Sequence, residues 1–237
     1  MPERIAAIAT AVAASIVVIA IAILPFLTPA WVSFEQGRAQ AAAWTGFSDA
    51  NLATATNAIL HDLVLGPPDF AVEINGAPVL EQRERAHMRD VRGVFAGFFL
   101  IAAIAAVGLA VLVAGARRRG HPERAWSAIS TGMRVLIVGI VVAGVVAAVA
   151  FDQLFAIFHQ LFFPAGSFTF DPRTDRLVQL FPFAFWSETT IVLGVVIVVA
   201  ATLLSVVTRR LARRAEPRRA EAVPAEPLPA AGVGVAR

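Results

Sequence analysis

Four histidines stand in this 237-residue chain, and two of them, His87 and His159, have neighbours that suit acid–base chemistry. Glu84 and Asp90 each lie three residues from His87, close enough on a helix to orient its ring. Asp152 lies seven residues before His159, which puts the two on one helix face, two turns apart. Imidazole titrates near pH ~6.5, so a histidine pair can take and give protons at neutral pH, a role worth about 10²–10⁴-fold in rate. Asp152 also ends an apolar run. A carboxylate inside a span costs roughly 2.5–3.5 kcal/mol, so it is expected to face the bundle interior or water. The same positions would also suit two interfacial histidines with ordinary hydrogen bonds. His61 and His121 read as solvated surface residues. Cysteine is absent, which excludes disulfides, thiolate metal sites and a cysteine nucleophile.

The elements that position these residues are membrane helices. A hydrophobic fraction of 58% and a mean hydropathy of +0.72 leave more apolar surface than a soluble core of this size could hide. A bilayer core of roughly 30 Å takes about 20 apolar helical residues. Four segments meet that length: Ile5–Leu27, Val94–Ala116, about Met133–Phe151 and Thr190–Thr208. The first run is longer than the ~7–15 residues of a signal-peptide core, so it is expected to be an uncleaved span. Arginine sets the orientation. Arg117, Arg118, Arg119 and Arg124 lie between spans two and three, and Arg209, Arg210, Arg213, Arg214, Arg218 and Arg219 follow span four. Residues 28–90 hold four arginines against eight acids, and 153–188 is slightly acidic. The expected topology therefore has both termini and a short basic loop (117–127) in the cytoplasm, with 28–90 and 153–189 outside. Arginines beside apolar segments read as topology and not as nucleic-acid binding. Under this topology span two enters from the outside and span three leaves toward it, which brings His87 and His159 to one depth at the outer interface.

The first outer segment is long enough for structure of its own. Gln40–Leu65 is Ala-rich, with Trp44, Phe47, Leu52, Ile59 and Leu63 spaced for helices lying on the membrane. After the Gly66-Pro67-Pro68 break, Asn75-Gly76 between two short extended runs predicts a β-hairpin, and Pro78 makes its second strand an edge. A helical pattern resumes at Glu81 and runs into span two. The second outer segment is aromatic, with Phe162-Phe163-Pro164, Phe181-Pro182-Phe183 and Phe185-Trp186 suited to the headgroup layer. Residues from about 215 onward are Pro, Ala, Glu and Arg without periodicity, and are expected to be disordered within a cytoplasmic tail spanning 209–237. The expected fold is all-α: a four-transmembrane-helix bundle with a small extracytoplasmic α+β cap.

Glu84-Arg85-Ala86-His87-Met88-Arg89-Asp90-Val91 has the form E-x-x-H-M-x-D-V. The run from Phe151-Asp152 through Phe155, Phe158-His159 and Phe162-Phe163, then Phe170-Asp171-Pro172, Thr174-Asp175 and Leu180-Phe181-Pro182, forms a second signature. Together they resemble a family of bacterial four-span integral membrane proteins that includes the lipoprotein intramolecular transacylases. The likeness covers residues from about 5 to 208 in layout and is specific over 84–91 and 151–182. The chain departs from the pattern at Gly166-Ser167-Phe168 and at Phe183, and lacks the tyrosines usual in the first outer segment.

The resemblance implies a protein of the bacterial cytoplasmic membrane that acts on the diacylglyceryl N-terminus of a lipoprotein. One acyl chain would move from the glyceryl group to the α-amino group of the N-terminal cysteine. It implies that the family's two functional histidines correspond to His87 and His159, with Glu84, Asp90 and Asp152 orienting them and Asp171 and Asp175 supporting the second loop. Donor ester and acceptor amine arrive on one substrate, so no enzyme nucleophile, cofactor or metal is expected, and membrane lipids are the other expected partner. Two other classes stand beside this one. A metal-dependent lipid hydrolase would draw ligands from His87, His159, Asp90, Asp152, Asp171 and Asp175. A non-catalytic accessory protein would use the outer cap for binding. Gly93-x-x-x-Gly97 suits helix packing or dimerisation, and nothing else bears on oligomeric state.

Overall fold

The computed structural model describes residues 2–215. Among these residues four helices are long and apolar enough to cross a membrane. They are α1 (Pro2–Ile23), α5 (Gln82–Arg118), α6 (Pro122–Phe162) and α8 (Phe183–Ala215). Three short helices, α2 (Pro29–Arg38), α3 (Ala41–Thr45) and α4 (Asp49–Val64), and a hairpin, β1 (Glu73–Ile74) and β2 (Ala77–Pro78), lie between α1 and α5. A single-turn helix, α7 (Arg176–Leu180), precedes α8.

The outer elements follow local chain chemistry. Thr28 caps α2 by accepting the Trp31 N–H at 3.4 Å, and Ser48 caps α4 by accepting the Asn51 N–H at 3.2 Å. Gly46, at φ +69°, ends α3, so the Ala-rich stretch is two helices with a turn between them. Asn75 and Gly76 both sit at positive φ, the geometry of a tight hairpin turn, and pair Glu73 with Pro78 and Ile74 with Ala77.

The apolar face of α4 does not lie on a membrane as its spacing suggested. Leu52, Ala55, Ile59 and Leu60 are buried with Phe70, Val72, Val79, Leu80, Met88, Leu177, Leu180 and Phe185 in one core. Covering that face with α2, α3, the hairpin and the start of α5 removes more apolar area from water than an interfacial site would. Trp44 and Leu65 stay exposed.

In the membrane tier α1 lies against α5, α6 and α8, and α6 pairs along its length with α8. Ala14, Val18, Ile129, Met133 and Ala201 form its small core. Gly132 lets α1 approach closely: a Cβ there would stand 2.8 Å from the Ala11 carbonyl oxygen. Ser130 and Ser205 donate to each other's carbonyls at 3.2 and 3.3 Å across α6 and α8. Valines 135, 138, 141, 142, 145 and 149 point outward, as lipid-facing side chains do.

Two helices overshoot the bilayer. At about 1.5 Å per residue α5 is roughly 55 Å long, against roughly 30 Å of hydrocarbon. Its first turns, through Arg92, therefore stand ahead of the apolar stretch Val94–Ala116. A capping box starts it, with Glu81 at the cap and Glu84 three residues on. Helix α6 departs from helical geometry at Ala150 (φ −142°, ψ 37°) and then continues to Phe162. Part of the expected outer loop 153–189 is thus helical. At the other end, α8 runs on through Leu211-Ala212-Arg213-Arg214-Ala215, strong helix formers, so the tail is helical through 215. The expectation of disorder beyond it concerns 216–237, outside the described residues.

Candidate active site

His87 is carried on the second turn of α5 and His159 on the last turn of α6. Their rings stack with centroids 5.9 Å apart and an interplanar angle of 22°. Both are buried, at 5% and 9% exposure. Five phenylalanines surround the pair. Phe163 and Phe170 stand 4.8 and 5.4 Å from the His87 ring. Phe155, Phe158, Phe163 and Phe168 stand 4.1–5.5 Å from His159. The site is an apolar chamber whose polar content is two imidazoles.

The two rings are not equivalent. His159 Nδ1 lies 2.8 Å from the Phe155 carbonyl oxygen. A carbonyl only accepts, so Nδ1 carries the hydrogen and the lone pair of the neutral ring is on Nε2. The same carbonyl dipole stabilises the imidazolium once Nε2 takes a proton. His87 Nδ1 is buried without a hydrogen-bond partner. Burial, and then the neighbouring His159, push the His87 pKa down from 6.5 to about 4, with Asp90 acting weakly the other way. His87 is therefore neutral at pH 7.

The carboxylates take other places than orientation of the rings. Glu84 is fully buried, and its two oxygens accept the Glu81 and Leu177 N–H groups, each at 2.7 Å. Burial raises its pKa and the two backbone donors oppose that rise. Its partner is the first turn of α7 and not His87. Asp90 is exposed and, among the described residues, forms no hydrogen bond or ion pair, so it reaches His87 only through its charge. Asp152 is exposed on the wall of a cavity of about 360 Å³ between α6 and α8, with Gln153, Phe183 and Ser187. His159 is oriented by its own helix backbone instead, since the i−4 carbonyl of Phe155 is nearer than any side-chain acceptor two turns away. Asp171 forms a turn, accepting the Arg173 N–H at 2.9 Å and the Arg173 guanidinium at 3.0 and 3.1 Å, which holds its pKa down. Asp175 is buried. Burial pushes its pKa up, but the guanidinium of Arg83 and the Asp171 N–H at 2.6 Å outweigh this and leave it lowered. Among the described residues no three His, Asp or Glu side chains gather as a metal ligand set.

Sequence reading missed Arg83 and Gln36. Arg83 binds Asp175, donates to the Thr169 carbonyl at 3.2 Å and lies over the Phe170 ring at 5.1 Å. Its position one turn before His87, on the same helix face, was the available signal. Gln36 is buried and joins three elements: its amide donates to the Leu180 carbonyl at 3.0 Å and accepts from Thr56 at 2.8 Å. No local pattern pointed to it.

Fold and site together define a polytopic membrane protein built around a buried histidine pair at one end of its bundle. Residues 7–186 match the sequence profile of the family described as Lipoprotein intramolecular transacylase Lit. The chain belongs to that family, which makes it an acyltransferase of the membrane by class. No curated protein matches it. An in meso structure of the membrane integral lipoprotein intramolecular transacylase Lit from Bacillus cereus superposes with a TM-score of 0.74 at 15% identity, covering 90% of this chain and 96% of that one. Structures of the same Bacillus cereus protein with one histidine replaced by arginine or by alanine superpose at 0.73 and 0.71, again at 15% identity. They cover 90% of this chain and 92% and 94% of theirs. At that identity the likeness is one of fold.

Proposed function

We propose that the protein moves an acyl chain from the diacylglyceryl group of a lipoprotein to the α-amino group of its N-terminal cysteine. The observation that carries this reading is the stacked, buried imidazole pair in a phenylalanine chamber, in a chain of this family. In this reading His159 Nε2 takes a proton from the amine, whose nitrogen attacks the ester carbonyl carbon. A neutral His87 donates an N–H hydrogen bond to the developing oxyanion. The carbon–oxygen bond to glycerol breaks, His159 returns the proton to the glyceryl oxygen, and the acyl chain remains as an amide. Protons and electrons balance without an enzyme nucleophile or a second substrate. Holding ester and amine at attack distance contributes up to roughly 7–11 kcal/mol in well-aligned systems. The phenylalanine wall excludes water, which favours aminolysis over hydrolysis. Asp171 and Asp175 shape the covering loop, and Asp90 supplies a negative charge that acts on His87.

The chamber faces the outside and both termini lie in the cytoplasm, as the arginine distribution supports. Donor and acceptor forms of the lipoprotein have equal mass because the transfer is intramolecular. Tandem mass spectrometry of the lipoprotein N-terminal peptide, from cells with and without the protein, therefore places the chain by fragmentation. The expected result is an N-acyl, monoacylglyceryl cysteine only where the protein is present, reduced about 10²-fold or more by His159→Ala. Identical acyl placement with and without the protein overturns the reading.

A further inference from the structure

The loop that covers the histidines is held by two kinds of anchor. Its later part, from Arg176 to Phe181, is fixed from buried positions. Glu84 accepts the Leu177 N–H, Gln36 donates to the Leu180 carbonyl, and Arg176 donates to the Thr45 carbonyl. The earlier part, 164–175, carries Phe168 and Phe170 onto the two imidazoles. Its hydrogen bonds are local turns, apart from one from Gln179 to the Pro172 carbonyl at 3.0 Å and those from Arg83. Arg83 reaches the Asp175 carboxylate, the Thr169 carbonyl and the face of Phe170 at once. It is also the residue one turn before His87 on the same helix. Among the described residues, Arg83 is the only polar tie between that helix and this part of the loop.

The two anchors differ in exposure. Glu84 is completely buried, whereas the Arg83 side chain is 53% exposed over an Asp175 side chain that is 4% exposed. A histidine pair this covered cannot meet a substrate bearing two acyl chains and a polypeptide unless part of its cover yields. The part that yields is the one whose tie is exposed and whose backbone turns at Gly166, at φ +82°. We infer that Arg83 is a positioning residue: its grip on Asp175, Thr169 and Phe170 latches the 164–175 segment over His87 and His159. Released, the segment admits substrate. Re-formed, the grip sets the phenylalanine wall against the rings and keeps water out. The consequence for product partition rests on the proposed transacylase reaction; the latch itself does not.

Both can be tested on the purified full-length protein in detergent. Diethylpyrocarbonate labelling with peptide mapping reads access to each histidine, and His61 and His121, with side chains 61% and 53% exposed, serve as internal controls. Arg83→Met, which removes all three contacts, is expected to speed labelling of His87 and His159 at least about tenfold, the population change that losing even one charge-assisted hydrogen bond would give, and to leave the two controls unchanged. Asp175→Asn gives a milder increase, and Arg83→Lys, which keeps one contact of the three, lies between. Unchanged labelling of His87 and His159 in folded Arg83→Met and Asp175→Asn overturns the latch, whatever the activity. With a synthetic diacylglyceryl-cysteine lipopeptide, the Arg83→Met protein should also release free fatty acid by water attack on the ester, at the expense of N-acyl product. A wild-type protein that forms no N-acyl product removes the transacylase reading and leaves the labelling result to stand by itself.

Discussion

In the outer tier, Gln36, Thr56, Glu84 and Asp175 are buried, and each is tied to a second segment of chain. Among the described residues of the membrane tier the one buried cross-helix polar link given by side chains is the Ser130–Ser205 pair, and the helices otherwise meet through Ala14, Val18, Ile129, Met133 and Ala201, with Gly132 against Ala11. The difference follows from the solvent. Water competes for every polar group of the outer tier, so a specific arrangement comes from placing charged acceptors on particular backbone donors. Lipid gives helices no hydrophobic reason to associate, so close approach of small residues does the work. The tier with the polar ties is the one that holds the stacked imidazoles.

The largest effect expected on stability is in the outer tier. Glu84→Ala leaves the buried Leu177 N–H and the part-buried Glu81 N–H without their acceptor and should destabilise by about 2–4 kcal/mol. Glu84→Gln should lose about half of that, and thermal unfolding in detergent measures both. Equal and small shifts for the two variants would mean that the α5–α7 tie is not what holds the outer tier.

A second contrast is pH. The His87 pKa, held at about 4 in the folded chain against 6.5 unfolded, means that only the unfolded state takes up a proton between those values. Its contribution is complete above pH 6.5 and is lost as pH falls toward about 4, on the order of 3 kcal/mol in all. Glu84, with a raised pKa, acts with the opposite sign, so the difference between wild type and His87→Gln isolates the histidine. Parallel stability curves for the two proteins across that window would contradict a buried neutral His87.

The membrane tier should respond to bulk instead. Gly132→Ala puts a Cβ at 2.8–2.9 Å from Ala11 and should cost about 1–3 kcal/mol without changing histidine labelling. Ser205→Ala, which removes half of the Ser130 pair, should cost about 0.6 kcal/mol, near the detection limit of a thermal melt. A Ser205→Ala effect as large as that of Glu84→Ala would erase the distinction between the tiers.

Much of the frame was legible in the sequence. Four apolar runs of sufficient length gave four membrane-length helices, Asn75-Gly76 gave the hairpin, and the unbroken pattern from Glu81 gave the long α5. The alternation of spans brought His87 and His159 to the same end. The roles of the acids were not legible. Glu84 is three residues from His87 but bonds Leu177, and the spacing along a helix says nothing of what lies across from it. The face of α4 was apolar in sequence whether it met lipid or protein, and only the folded arrangement of α2, α3, the hairpin and the start of α5 decided that it met protein.

What the sequence determined by itself was which segments insert and therefore which residues share a depth, because insertion depends on hydrophobicity summed along a continuous stretch. What the tertiary structure decided was which nitrogen of His159 is free, where Glu84 and Arg83 spend their hydrogen bonds, and that five phenylalanines close around the pair. The His159–Phe155 bond lies within one helix turn, but Glu84–Leu177, Arg83–Thr169 and His87–Phe163 join residues far apart in the chain. Their geometry depends on packing distances of a few ångströms that no local pattern encodes.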